Sequence, residues 1–386
     1  MRITEIRERT IPLGSGMRNA GIRFDAMTAS AIAVHTDETV AGKQLIGLAF
    51  DSIGRYGHGA LLKERFAPRL LAADPDFYAD PATGLIDPER AFVAMMVNEK
   101  GGGHGERAGA VGLLDCALWD LRAKAEGRPL HTLLAERVGN GSPQPAPVYG
   151  SGGHYGDAGV SGLVRELEGY RSLGFDRFKI KIGGAPLADD LARIEAALAV
   201  AGDGRRLAVD ANAVWDTDEA ARWIGALAPY DLAWVEEPVP PLDFAGLAAV
   251  SRGSAVPLAT GENLFSAEET DLLLGFGGLD PARDWLQMDV SLSYGPSGYL
   301  AILETVRRHG WAWGRVLPHA GHLLALHAVV GFGLGGHEAA PSPELAYGGF
   351  AEDTVFEDGH AIPGNSPGTG IEAKPNLYRL FSGLVS

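Results

Sequence analysis

Residues 206–263, RLAVDANAVWDTDEAARWIGALAPYDLAWVEEPVPPLDFAGLAAVSRGSAVPLATGEN, repeat one theme three times. RLAVDANA (206–213), LAWVEEPV (232–239) and VPLATGEN (256–263) are each a short apolar run that finishes in an acid and then breaks at a turn. Such runs read as buried strands. A helical stretch at 217–228 separates the first two. The acids Asp210, Glu236 and Glu262 are spaced 26 residues apart, about the length of one βα unit.

The theme continues on both sides. APVYGSG (146–152) and RFKIKIGG (177–184) precede it, while DWLQMDVS (284–291), GRVLPHAG (314–321) and VVGFGLGGHE (329–338) follow. Helical stretches at 186–202, 266–275 and 296–309 lie between them. Eight strands with seven intervening helices predict a closed parallel barrel, an α/β fold of the (β/α)7β kind. Upstream, residues 1–60 alternate in the β manner (ITEIRERTIPL, TASAIAVHTD), and 62–100 reads helical. The stretch 109–135 carries apolar residues at helical spacing until Gly127-Arg128-Pro129 stops it. The expected organisation is an α+β capping domain over 1–135, a barrel over 136–340, and a segment over 341–386 that returns to the capping domain.

Barrel strands share one mouth at their C-terminal ends, where side chains converge. Those ends carry Lys179 and Lys181, Asp210 and Asn212, Glu236, Glu262, Asp289 and His319. One acid at a strand end more often caps a helix or faces water. Three at matched register repel one another unless a cation neutralises them, and all-oxygen ligation suits Mg²⁺, with Mn²⁺ an alternative. Lys179 and Lys181 alternate with Phe178, Ile180 and Ile182, so both lysines face the same way. Turned inward, Lys181 reads as a general base whose pKa falls through crowding by Lys179 and the metal. His319 beside Asp289 reads as an acid/base pair, with His322 a competitor three residues on.

The chain has 386 residues, 46% of them hydrophobic, and a net charge of −16. That charge argues against nucleic acid and anionic membrane as partners, but not against a small anionic substrate in a locally positive pocket. Cys116 is the only cysteine, so an intrachain disulfide is excluded. MRITEIRERTIPLG at the start has no apolar core for a secretion signal, and no run of about 18 apolar residues occurs, so a cytoplasmic location is expected.

The order lysine-x-lysine, Asp-x-Asn, Glu-Glu-Pro, Gly-Glu-Asn and late histidine, together with ALWDLRAKAEGRPL (117–130), resembles the mandelate racemase branch of the enolase superfamily. Within the branch, MRNAGIRF, GRYGHGALLKERFAPRLLAADP, MMVNEKGGGHGER and DWLQMDVSLSYG look most like the D-tartrate dehydratase subfamily. The resemblance implies one Mg²⁺ per subunit on Asp210, Glu236 and Glu262, with Lys181 taking the proton α to a carboxylate. His319, paired with Asp289, then protonates a departing β-hydroxyl, and Lys179 biases the field. Asn19, Lys100, Tyr155 and Glu338 are implied to shape the substrate pocket, and Asn212 joins them from its strand end. The implied reaction is dehydration of a hydroxy-dicarboxylate or sugar acid through an enediolate to a 2-keto acid, oxaloacetate in the case of tartrate. Identical subunits are implied as well. The same residues are open to racemisation or epimerisation, or to dehydration of another acid sugar. A Schiff-base aldolase using Lys181 and a non-catalytic sugar-acid binder are the more distant alternatives.

Overall fold

The computed structural model describes residues 1–341 and 345–386. Strand β1 (Ile3–Pro12), β2 (Thr28–Val40) and β3 (Lys43–Phe50) form an antiparallel sheet in that order. Short helices between 59 and 95 follow, then the helix Gly105–Ala125, which is buried along most of its length. It begins four residues earlier than its apolar spacing predicts and stops just before Gly127. A second helix, Leu130–Val138, starts after Pro129 and runs across position 135.

The barrel runs through β4 (Ala146–Gly152), β5 (Phe178–Lys181), β6 (Leu207–Asp210), β7 (Val235–Glu236), β8 (Leu258–Thr260) and β9 (Trp285–Leu286), each parallel to the next. The seventh stave is reduced to a parallel bridge between Leu286 and Val316. Gly335 N donates to Val316 O at 2.9 Å, and β10 (His337–Ala339) pairs in parallel with β4 to close the ring. Eight staves and seven helices between them therefore make a (β/α)7β barrel among the described residues.

Alternation along each strand decides what goes inside. In β5, Phe178 and Ile180 point outward and join one apolar cluster with Leu163, Leu167, Ile194 and Ala197 of the flanking helices. Each of these large buried side chains, Ala197 aside, stabilises the fold by roughly 1.5–3 kcal/mol. Inward, Tyr149, Ala208, Trp234, Ala259 and Leu317 form a separate apolar layer. Tyr149 and Trp234 meet edge to face with centroids 5.2 Å apart, which leaves alanine at the neighbouring inward positions. The lysines and acids stand above this plug. Side chains cap the helix starts: Asp216 accepts from Glu219 N at 2.9 Å, and Ser266 from Glu269 N at 3.1 Å.

The capping sheet and the barrel are held in close contact. A Cβ on Gly112 would lie 1.9 Å from Ser291 O, so only glycine lets the helix Gly105–Ala125 reach the loop after β9. In the C-terminal segment, Ile371, Leu377, Phe381 and Leu384 pack on Ala31, Ala33 and Leu48 of the sheet. The same segment also carries a hairpin, β11 (Val355–Glu357) and β12 (His360–Ile362), whose second strand pairs antiparallel with the start of β4. No helix among the described residues is long and apolar enough to cross a membrane.

His131 and His327 are buried together with ring centroids 5.4 Å apart. His327 Nδ1 accepts from His131 N at 3.0 Å and Nε2 faces Thr369 O at 3.2 Å, so the ring is held neutral. Burial, then the neighbouring His131, pushes the His327 pKa down to about 3. A depressed folded pKa stabilises the fold above about pH 6.5 and is lost progressively as the pH falls from there toward 3. His327→Gln, which can donate and accept without titrating, should flatten that acid loss by up to about 1.4 kcal/mol per pH unit. Urea denaturation at pH 7 and pH 5 reads the difference, and an unchanged pH slope would contradict it.

Candidate active site

Register brings the charged ends together. Lys181 stands opposite Asp210, and Asp210 opposite Glu236. Asp210, Glu236 and Glu262 offer carboxylate oxygens that all lie within 4.8 Å of one another. Glu262 follows Gly261, whose φ of +127° belongs to glycine and whose added Cβ would sit 2.8 Å from Met288 Sδ. Asn212 and Glu237, just past two of the strands, also have positive φ (48° and 42°), strained conformations that aim the strand-end side chains.

The mouth opens into a cavity of about 570 Å³. The barrel contributes Lys181, Asn212, Glu237, Glu262, His319 and Glu338, and the capping domain contributes Asn19, Ile22, Phe24 and Arg55. Lys181 bonds to Asp210 Oδ2. His319 Nε2 lies 3.8 Å from Glu262 Oε2, and its Nδ1 lies 3.1 Å from Asp289 Oδ2. Lysine and histidine therefore adjoin opposite members of the acidic triad.

The electrostatics show why a cation belongs there. Five carboxyl groups at the mouth (Asp210, Glu236, Glu237, Glu262 and Glu338) crowd around the ammonium groups of Lys179 and Lys181, with His319 and the Arg55 guanidinium as further cations of the wall, so among these groups the acids outnumber the bases. Burial and then Asp210 push the Glu236 carboxyl up to about 8, although Lys179 pulls the other way. Glu262 Oε2 is buried with no hydrogen-bond partner. An orphaned carboxylate oxygen with two further acids within 4.8 Å fits a hard divalent ion. Mg²⁺ would be held by Asp210, Glu236 and Glu262.

The structure refines some expectations and corrects others. Lys179, expected to bias the field, does not reach the pocket wall. Only 1% exposed, it lies beneath, with its ammonium 2.8 Å from Glu338 Oε1 and 3.7 Å from Asp210 Oδ2, also paired to Glu236 and over the Tyr149 ring. It acts on the carboxylates and touches no space a substrate could occupy. Among the protein groups alone, burial and Lys179 push the Lys181 pKa down but Asp210 outweighs them and raises it, so the lowering expected beside a metal would have to come from the ion. Lys100 is exposed and lies outside the pocket lining. Its neighbour Glu99 binds Arg65, Arg69 and Arg107, which ties that loop to the capping domain and turns Lys100 to solvent. Tyr155 lines the pocket with its ring, while its hydroxyl donates to Asp190 at 2.8 Å and accepts from Gly184 N at 2.9 Å.

The other expected residues reach the pocket. Asn19 Oδ1 accepts from Gly21 N (3.0 Å) and Ile22 N (2.7 Å), fixing the turn at the rim. Asn212 Nδ2 lies 3.3 Å from Asp210 Oδ2. Glu338 accepts from Ala320 N at 3.1 Å, and although burial opposes it, Lys179 holds the carboxyl well below the usual range. His322 caps the helix Leu323–Phe332 by accepting from Ala325 N at 3.2 Å, whereas His319 faces the cavity. Burial lowers the His319 pKa, but Glu262 and Asp289 prevail and bring it to about 10.

Among the lining residues that escaped the sequence reading are His154, Glu237 and Arg55. His154, two residues past the end of β4, follows the same strand-end rule as the others and could have been found by it. Its pKa is pushed down to about 3 by burial and then by Lys181. Glu237, the second acid of Glu-Glu-Pro, accepts from Asn263 Nδ2 at 2.7 Å. Arg55 comes from an irregular loop, bonds to Asn263 Oδ1 and lies over the Phe265 ring at 4.7 Å. No periodicity marks it.

Binding of Mg²⁺ to the folded state alone should stabilise the protein by about 2.7 kcal/mol at a hundredfold excess over Kd. Glu262→Gln, the change that disturbs fewest hydrogen bonds in the triad, should abolish the Mg²⁺-dependent rise in Tm. A rise that persists in this variant would place the ion elsewhere.

Comparison with known proteins agrees with this geometry. The family described as enolase C-terminal domain-like matches residues 162–377. The chain is 27% identical over 329 residues to the L-talarate/galactarate dehydratase of Salmonella typhimurium LT2, covering 84% of this chain and 77% of that protein. A racemase from Streptomyces coelicolor A3(2) with bound magnesium superposes with a TM-score of 0.77 at 27% identity, covering 95% of this chain and 96% of that one. L-Talarate dehydratase from Polaromonas sp. JS666, complexed with Mg and L-glucarate, gives 0.76 at 27% identity, over 96% and 94%. With its barrel strand ends and acidic triad in the places described, the chain belongs to the enolase superfamily.

Proposed function

We propose that the protein is a magnesium-dependent acid-sugar dehydratase, a carbon–oxygen lyase acting on a hydroxy-diacid. The observation that carries this reading is the placement of Lys181 beside Asp210 and His319 beside Glu262, a base and an acid flanking one carboxylate-binding centre. Lys181, as the free amine, takes the proton from the carbon α to the substrate carboxylate. The ammonium paired with Asp210 cannot do so, so Lys181 acts once the Asp210 charge is otherwise engaged. A divalent ion on the triad supplies a Lewis acid for the substrate carboxylate. His319, oriented by Asp289, gives its proton to the β-hydroxyl. The C–O bond breaks, water leaves, and the enol that remains tautomerises to a 2-keto acid. Lys179 keeps Glu236 and Glu338 fixed beneath the reacting atoms.

Two observations bear on the substrate. The cavity of about 570 Å³ is ample for a four-carbon tartrate, and Arg55 adds a guanidinium to its wall. A six-carbon aldarate uses both the volume and the second cation, in line with the talarate and galactarate dehydratases among the relatives. D-tartrate, favoured by the sequence resemblance, is the next reading. The racemase neighbour supports one further outcome of the same chemistry, reprotonation by His319 without loss of water.

The test is a panel of D-, L- and meso-tartrate, galactarate, L-talarate and glucarate with Mg²⁺. Two signals are followed: 2-keto acid formation and α-proton exchange in D₂O. A six-carbon diacid should give a 2-keto acid, and EDTA should stop it. Lys181→Ala should lose both signals by about 10²–10⁴-fold, while His319→Asn should lose the product and keep exchange. Exchange with inversion and no 2-keto acid from any substrate would replace dehydration by racemisation.

A further inference from the structure

Asp289 belongs to the barrel, but one of the groups that aims it comes from the capping domain. Its Oδ1 accepts from Leu292 N at 2.8 Å. Its Oδ2 takes His319 Nδ1 at 3.1 Å and also the Ser52 hydroxyl, which donates at 2.6 Å. Ser52 and Asp289 are both fully buried. A second imidazole competes for the same carboxylate. His322 Nδ1 accepts from Ala325 N, so its proton is on Nε2, which lies 3.8 Å from Asp289 Oδ1 and has no hydrogen-bond partner among the described residues. A modest rotation of the carboxylate would satisfy this buried donor and slacken the bond to His319. Leaving a buried donor unmade costs about 1–3 kcal/mol, so the pull is real.

We propose that Ser52 is a positioning residue that commits Asp289 to His319 and denies it to His322. The loop that presents Ser52 is itself pinned. Asp51, next to it, accepts from Ser30 N at 2.8 Å and sits 3.1 Å from His58 Nδ1, while His58 N donates to Ser30 Oγ at 3.0 Å. His58 Nε2 in turn meets Glu106 at 3.2 Å, on the helix that docks against the barrel. Arg55, on the same loop, lines the cavity. The proton donor is therefore aligned by the domain that covers the substrate, and a displaced loop leaves His319 without its fixed partner. Lys181 makes no contact with this chain of bonds and is independent of it.

Two readouts test the assignment, and only the second rests on the dehydratase reading. In ¹⁵N-histidine-labelled protein, the Nδ1–H signal of His319, assigned through His319→Asn, should shift or broaden in Ser52→Ala and persist in Ser52→Thr. His322→Asn keeps a helix cap but cannot reach Asp289. Added to Ser52→Ala, it should restore the signal. With Mg²⁺ and whichever diacid the panel turns over, Ser52→Ala should lose about ten- to a hundredfold in 2-keto acid formation and keep α-proton exchange. The double variant should recover most of that loss. An unchanged His319 signal in Ser52→Ala, or a double variant no better than the single, would overturn the proposal. Failure of every acid sugar in the panel would count against the dehydratase reading alone, because the imidazole signal is read without turnover.

Discussion

The crowding of buried carboxyl groups at the mouth of the barrel is the constraint on which the rest of the molecule depends. Asp210 and Glu236 are fully buried, and Glu237 and Glu338 nearly so. Carboxylates out of water and this close together repel strongly, and isolated ones would simply protonate. Lys179 and Lys181 answer part of the charge from β5, and the geometry of the triad leaves the remainder for a divalent ion. A substrate that brings its own anionic carboxylate enters a centre already organised around such a cation.

The polar mouth is possible because the apolar work is done elsewhere. The layer of Tyr149, Ala208, Trp234, Ala259 and Leu317 plugs the barrel below the lysines, and the outward faces of the strands pack on helices. Inward positions higher up are then free to carry charge. Lys179 marks the boundary between the two regimes, with Tyr149 under its ammonium and Glu236 and Glu338 around it. It is best understood as part of the floor that keeps the carboxylates in place.

Much of this was legible in the chain because barrels translate sequence spacing into geometry. Acids at 210, 236 and 262 must converge if each ends a parallel strand, and they do. Lysines at 179 and 181 must share a face, and they do. The layer each one occupies was not legible. Alternation gives the side of a strand and says nothing of depth, so it did not separate the buried Lys179 from the pocket-lining Lys181. Lys100, Arg55 and Ser52 come from loops of the capping domain, where no period governs position and where long-range ion pairs such as those of Glu99 set the outcome. Tyr155 reached the right place with its hydroxyl turned away, because Asp190 offers it a buried acceptor.

The missing side chain at position 112 has an architectural consequence. With the carbonyl of Ser291 occupying the space a methyl group would need, helix and barrel interlock like a key cut for one lock. Recombining this cover with a foreign barrel would succeed only where the recipient loop leaves the same hollow. Diversification within such a lineage is thereby steered toward the rim loops, which can change residue by residue while the joint beneath them stays as it is.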